Sequence, residues 1–367
     1  MNACYLAGRP STLFSQQLET LIDASQWSYL QYIPSRYGTT DCLTKATECL
    51  MRRLYRLLYR REGRDRASKQ ETASYLAALQ SLRGSLEHPV LSKQPNTLCA
   101  THLLGLYELL EAESTDDFER HTHGCQLLIE HRQAASFETG FEKALFLASV
   151  EPTMFYCCTK GIHSYLEKPE WLALLRECAE DSSIPLSARS EVAIQSQICL
   201  IKVSGLWIDM QELSLDTDIS VLTGLKLRSL QLHAITFAWI HRWAGGLLHL
   251  PMNNVSAREL KVQRAIRGNI FSCIMLAGRF LQTLQPGDAA QWESEAKTAA
   301  MHLTSQRGIE WDNSVPVSIA KSIIQTAIAW STPLNSLDPE QHSDTRLRRF
   351  FAWRDLVLLG MREGPRS

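Results

Sequence analysis

Four carboxylates and a lysine in the second half of the chain could form a site for a metal ion and a diphosphate. They are Asp209, Glu212, Asp216, Asp218 and Lys226. Carboxylate oxygens are ligands that Mg²⁺ prefers, and a nearby cation could neutralise the leaving group of an isoprenyl diphosphate. A polar loop between two apolar helices would have the same composition. The sequence leaves both interpretations open, with Mg²⁺ as the cofactor of the first.

An earlier acidic run, Asp116-Asp117-Phe118-Glu119, resembles the aspartate-rich motif with which class I terpene cyclases hold magnesium. One turn after the first aspartate, however, stands Arg120 rather than a carboxylate. Ser114 to Asp117 is also a capping-box pattern, and acidic residues stabilise the first turn of a helix. We therefore predict the start of a helix here rather than a metal site.

Two histidines and a cysteine follow this run, at His121, His123 and Cys125. Imidazole and thiolate are zinc ligands, so the group invites a metal hypothesis. Residues two apart on a helix point in different directions, which turns His123 away from the other two side chains. The spacing therefore predicts no zinc site.

An arginine-rich run is the strongest local charge feature. It consists of Arg52, Arg53, Arg56, Arg60, Arg61, Arg64 and Arg66. Such a run could be a nuclear-import signal or contact phosphates. Apolar residues such as Tyr55 and Leu58 stand between the arginines, which equally fits the solvated face of an amphipathic helix.

The C-terminal half contains a region rich in aromatic residues and methionine. Its members are Trp239, Trp243, Met252, Met275, Leu276 and Arg279. This composition suits a pocket for an apolar ligand, because methionine and aromatic side chains line such cavities. It suits the core of a helical protein equally well, so both interpretations stay open.

No complete catalytic motif is present. The sequence has no G-x-S-x-G, P-loop, Rossmann glycine array or H-E-x-x-H, so we predict neither catalytic residues nor a resident metal or cofactor. The 10 cysteines include no C-x-x-C pair and mostly stand in apolar stretches. They are predicted to be reduced core thiols.

The spacing of apolar residues is helical almost throughout. Cys42, Ala46, Leu50 and Leu54 recur at four-residue intervals, and Leu98 to Leu110 is apolar enough for a central, buried helix. The pattern predicts an all-α protein of about 12 to 14 helices in one large irregular lobe, with no significant sheet. We predict a single domain over residues 1–367.

The charges are balanced, with 38 basic and 39 acidic residues. This balance argues against direct binding to nucleic acid or a membrane. No stretch is long and apolar enough for a membrane span, and Met1 to Pro10 do not resemble a signal peptide. We expect the protein in the nucleus or the cytoplasm.

One set of residues stands in an order typical of a known family. The set is Tyr75 to Arg83, Leu98-Cys99-Ala100, Leu104 to Leu110, Phe118, His121, Gly124, Leu128-Ile129, Leu145-Phe146 and Pro169-Glu170-Trp171. It resembles the fungal-specific transcription factor domain, the helical regulatory region of fungal zinc-cluster activators. The likeness is best over residues 32–171, and residues 172–367 would be a variable helical continuation.

The resemblance implies a regulatory protein that acts through a partner or a small effector, with secondary-metabolite genes as a candidate target. The six-cysteine array, which binds two zinc ions in the DNA-contacting module of zinc-cluster activators, is not found in this sequence. The expected partner is therefore a DNA-binding factor or a second copy of the chain, and a small apolar effector could bind as well. The alternative is an enzyme on the same helical shell, such as a magnesium-dependent terpene cyclase.

Overall fold

The computed structural model describes residues 28–59, 69–110, 115–179, 187–247, 257–285, 288–304 and 339–362, with isolated positions between 319 and 326. Their α-helices are α1 (Ile33–Arg36), α2 (Asp41–Tyr59), α3 (Lys69–Glu87), α4 (Pro95–Leu109), α5 (Thr115–Arg132), α6 (Gly140–Lys160), α7 (Pro169–Glu177), α8 (Glu191–Gln211), α9 (Ile219–Leu247), α10 (Ala257–Leu284), α11 (Ala289–Thr304) and α12 (Pro339–Arg362). These ranges contain no β-strand. The predicted all-α fold is confirmed.

The chain divides into two compact units. Unit 1 comprises Met1–Pro152 with Asn253–Val262, and unit 2 comprises Thr153–Met252 with Gln263–Ser367. The single domain expected over residues 1–367 stays a prediction. Within the described ranges, no helix has both the length and the apolar character that a bilayer span requires.

Unit 1 is organised around α4, which packs against α2, α3 and α5. Pro95 stands in the first turn of α4, where its missing N–H costs no hydrogen bond. From Asn96 to Tyr107 almost every side chain of this helix is buried, as expected for a central helix. The neighbouring helix α2 packs against α4 with one apolar face, on which Cys42, Ala46 and Cys49 are fully buried.

Unit 2 has its own hydrophobic core, built by α8 to α12 around Trp207, Phe280, Phe350 and Trp353. Trp207 meets Trp353 edge to face, with 5.9 Å between ring centroids. Helices α10 and α11 approach closely at Gly278, where a Cβ atom would lie 3.0 Å from the carbonyl oxygen of Trp292. Buried aromatic area is the largest apolar contribution that a core of this kind offers.

Candidate functional site

Asp209, the first residue of the proposed magnesium-diphosphate set, is already bound by two basic side chains. It lies near the end of α8, where its Oδ2 is 2.5 Å from Nη1 of Arg228. Its Oδ1 is 3.1 Å from Nε2 of His163. The carboxylate therefore neutralises cations of its own unit.

The other members of that set differ in exposure and are not described in contact with one another. Glu212, Asp216 and Asp218 are exposed, and Lys226 is half-buried. Asp218 caps the start of α9, because its Oδ1 accepts a hydrogen bond of 2.7 Å from the backbone N–H of Ser220. Hydrogen bonding to Ser220 also lowers the pKa of this carboxyl. Across the described residues, no three His, Cys, Asp or Glu side chains are placed to hold a metal ion.

The acidic run Asp116 to Glu119 lies at the start of α5. Helix α5 begins at Thr115, and Asp117 forms an exposed ion pair of 2.9 Å with Arg120, the residue that replaced the expected carboxylate. The side chain of Asp116 lies outside the described residues. His123 is exposed while Cys125 is buried, so the two do not converge with His121 on one site.

Two arginines of the basic run are buried. Arg53 and Arg56 lie on α2 and face Glu71 of α3, with Nε of Arg56 2.9 Å from Oε2 of Glu71. Nη1 of Arg53 lies 3.9 Å from Oε1 of the same carboxylate, and its Nη2 donates to the carbonyl oxygen of Leu110. Because both side chains are buried, they belong neither to an accessible import signal nor to a solvated helix face. Arg52 is half-buried, and Arg60, Arg61, Arg64 and Arg66 lie outside the described residues.

The proposed ligand-pocket residues have separate roles in unit 2. Met275 and Leu276 belong to its hydrophobic core, and Trp239 packs against that core from α9. Arg279 is fully buried and forms an ion pair of 2.5 Å with Glu293. The ring of Trp243 lies under the guanidinium of Arg242, at 4.8 Å. Met252 lies outside the described residues.

Four residues of the set that carries the family resemblance meet where α3, α4 and α5 pack together. The rings of Tyr75 and Tyr107 stack with 4.8 Å between centroids, and the Tyr75 hydroxyl is 3.4 Å from Nε2 of His121. A Cβ atom at Gly105 would come within 3.2 Å of the His121 Cβ, so the motif glycine lets α4 and α5 approach. Burial raises the pKa of Tyr75 and lowers that of His121, which keeps both neutral at pH 7. The motif therefore builds a packed junction of neutral polar groups.

Burial disfavours the thiolate form of several described cysteines. Of the described cysteines, Cys158 is partly buried and the others are buried, and none forms a disulfide. Burial raises the pKa of the Cys199 thiol to about 11 and that of Cys158 to about 12. At neutral pH these groups are thiols rather than reactive thiolates, in agreement with the core thiols expected from sequence.

Sequence reasoning missed His163, which lies between two carboxylates. Its Nδ1 is 3.1 Å from Oε1 of Glu167, and its Nε2 binds Asp209 as described above. Glu167 is fixed by a capping box with Ser164 and rests on Gly205 of α8, where a Cβ atom would collide with its carboxylate. The Ser164-x-x-Glu167 spacing is readable in the sequence, whereas the approach of Asp209 depends on the tertiary fold.

The charges around His163 favour its protonated form. Partial burial opposes ionisation, but the hydrogen bond and charge of Glu167, followed by the charge of Asp209, raise the pKa of His163 above 6.5. Glu167, His163, Asp209 and Arg228 thus form a chain of alternating charge that ties the segment before α7 to α8 and α9. We expect these ion pairs to stabilise unit 2.

We expect the stability of the protein to fall as the pH rises through the folded-state pKa of His163. A raised pKa means that the folded state binds the proton more tightly, so the contribution is complete below the unfolded value and is lost above the folded one. Melting temperatures between about pH 6 and 9 would measure it. The variant His163→Gln should flatten this part of the profile, whereas His241→Gln, at an exposed histidine of α9, should not. Equal profiles for wild type and His163→Gln would contradict the assignment.

The second feature that the sequence did not reveal is an exposed apolar face on α9. Leu225, Ser229, Leu232 and Thr236 form the buried side of this helix. Opposite them lies a face that we call the α9 face, which consists of Gly224, Leu227, Gln231, Ala234, Ile235 and Ala238, all exposed. Leu227 is 57% exposed and Ile235 is 39% exposed. A contiguous patch of exposed apolar side chains is typical of a binding surface.

Comparison with known proteins gives one distant relative. Over 134 residues, or 36% of this chain, the sequence is 28% identical to an uncharacterized protein of Emericella nidulans. The chain covers 29% of the length of that relative. No family model matches the chain, and no solved structure matches it.

Proposed function

We propose that this chain is a transcription-factor-like regulatory protein without its own DNA-binding module, and that it acts by binding a protein partner through the α9 face. The partner-binding part is carried by the exposed apolar residues of α9, above all Leu227. A monomeric surface rarely leaves a contiguous apolar face on one helix uncovered. The regulatory part is supported by the resemblance to the fungal-specific transcription factor domain.

Two further observations support a binding protein over an enzyme. The residues that carry the resemblance, such as Tyr75 and His121, take up packing roles in the structure rather than facing a reaction centre. Two carboxylates of unit 2 are engaged with cations, in the pairs of Asp209 with Arg228 and Glu293 with Arg279.

The proposal places the protein in the nucleus, where it would join a DNA-binding factor or a second copy of itself. A small apolar effector could act together with the partner, and genes of secondary metabolism are the candidate targets. In this view the arginine run at the end of α2 contributes to import through its members after Tyr59.

The test fuses the full chain to a heterologous DNA-binding domain in a fungal host and measures transcription from a matching reporter. We expect the fusion to change reporter transcription severalfold and to accumulate in the nucleus. The variant Leu227→Glu should abolish the change, because it places a carboxylate among the apolar residues of the α9 face.

The control is Leu127→Glu, because Leu127 of α5 is 56% exposed, almost the same as Leu227. This fusion should behave like wild type. Reporter transcription that does not respond to the wild-type fusion, or an equal loss in both variants, would count against the proposal.

A further inference from the structure

We infer that the α9 face binds the same face of a second copy of this chain, with the two α9 helices antiparallel about a two-fold axis near Gln231. This inference rests on the proposed function, since it names the occupant of the same surface. In such an isologous contact, each residue before the axis meets a residue after it.

Two pairs of exposed residues of α9 match in type about Gln231. Four residues before it stands Leu227 and four after it Ile235, both large and apolar. Seven residues before it stands Gly224 and seven after it Ala238, both small and exposed. Antiparallel pairing therefore sets Leu227 of one copy against the Ala234–Ile235 turn of the other, and small residues against small ones.

The residue at the axis is self-complementary. Gln231 carries an amide with donors and acceptors, so two copies of this side chain can bind each other across a two-fold axis. A hydrophobic partner of another kind would have to bury this amide without an answering group, at a cost in free energy. The single polar residue in the centre of the α9 face thus favours a second copy as its occupant.

The charges at the border of the face are already neutralised within one chain. Arg228 is bound to Asp209, and Arg242 lies 3.1 Å from Glu191. A strongly acidic or basic partner would therefore gain little from these arginines. In the antiparallel arrangement Arg228 faces the small residue Ala234 of the other copy, so like charges do not meet.

The small residues also fix how closely the helices can approach. A Cβ atom at Gly224 would meet no other atom within 4 Å, so the space beside this glycine is open to a partner. From Gly224 to Ala238 the face extends about 20 Å at the rise of an α-helix. Small side chains at both ends of this stretch allow close contact between backbones and fuller contact of Leu227 and Ile235.

Sedimentation velocity of the full-length protein over a series of concentrations tests the inference. We expect a concentration-dependent dimer, a severalfold weaker dimer for Leu227→Glu, and no change for the matched control Leu127→Glu. A monomer at all concentrations, or a dimer that Leu227→Glu leaves intact, would overturn the inference.

A mixing experiment tests the antiparallel register. Leu227→Glu and Ile235→Lys should each weaken the dimer, whereas an equal mixture of the two variants should regain it. The mixed dimer pairs one glutamate with one lysine and leaves one Leu227–Ile235 contact unchanged. A parallel pairing would set residue 227 against residue 227, and the mixture would then gain nothing.

A third measurement does not depend on weakened variants. Gln231→Cys should form a disulfide-linked dimer under mild oxidation, since the two-fold axis brings this position against itself. Wild type under the same conditions is the control, and absence of the cross-link would overturn the register. If the protein is monomeric but the reporter fusion still depends on Leu227, the partner is not a second copy, and the proposed function stands. If the protein dimerises through α9 but the fusion is inactive, the dimer is correct and the proposed function is wrong.

Discussion

Replacing Arg279 with methionine is expected to destabilise unit 2 by about 3–5 kcal/mol, because it leaves the carboxylate of Glu293 buried without its cation. Arg279 lies on α10 with no exposed side-chain surface, and Glu293 of α11 is 8% exposed. Burial lowers the pKa of Arg279 to about 10 against the opposing effect of Glu293, so the guanidinium stays charged at neutral pH. The pair is therefore ionic where water is excluded.

Neighbouring groups form further hydrogen bonds with this ion pair. Nη1 of Arg279 donates to Oε1 of Gln282 at 2.8 Å, and Nε2 of Gln282 donates to Oε2 of Glu293 at the same distance. Nη2 of Arg279 reaches the carbonyl oxygen of Ile323 at 3.3 Å. Loss of the guanidinium thus disturbs three chain segments at once.

Urea unfolding followed by tryptophan fluorescence measures the effect, because Trp207 and Trp353 are buried in the same core. The control is Arg242→Met, whose pair with Glu191 is exposed and should contribute about 0–1 kcal/mol. The double variant Arg279→Met, Glu293→Leu should recover much of the loss, since it removes both buried charges. A single variant no less stable than Arg242→Met would refute the argument.

In unit 1, Glu71→Gln is expected to cost about 3–5 kcal/mol, because it removes the carboxylate that Arg53 and Arg56 share. All three side chains are almost fully buried, and glutamine keeps the shape while losing the charge. Two buried guanidinium groups would then repel each other across the α2–α3 contact.

Hydrogen exchange of α2 and α3 measures this effect inside unit 1. The matched control is Glu87→Gln on the same helix, since the Glu87 pair with Arg83 is exposed and should contribute little to stability. Faster exchange in both variants, or in neither, would contradict a special role for Glu71.

The helices could be predicted from sequence because their signals are local. The start of α5 at Thr115 follows from the capping-box pattern there, and that of α7 follows from Pro169. The burial of α4 follows from a run of apolar residues with few polar interruptions. Each of these signals lies within a few residues of the structure that it predicts.

The side-chain partners could not be predicted, because tertiary folding brings them together. Arg53 and Arg56 stand in an arginine-rich run, which suggests exposed side chains. The carboxylate that neutralises them in the core is that of Glu71 on the next helix. His163 and Asp209 are 46 residues apart. Spacing alone does not indicate which of several carboxylates a distant cation meets.

The α9 face escaped prediction for a different reason. Apolar residues occur all around α9, so its sequence does not separate the buried Leu225 and Leu232 from the exposed Leu227 and Ile235. A helix of this composition fits a fully enclosed position as well as a half-covered one. The packing of its neighbours decides which side is left open.

The buried thiols can report where the helices of the protein open locally. Cys42, Cys99 and Cys125 lie in unit 1, and Cys199 and Cys273 lie in unit 2. A reagent that modifies thiols can reach them when the surrounding helices separate, so each modification rate follows the free energy of local opening at its position. Mass spectrometry of alkylated peptides would therefore resolve which helices open together, without any label introduced into the chain.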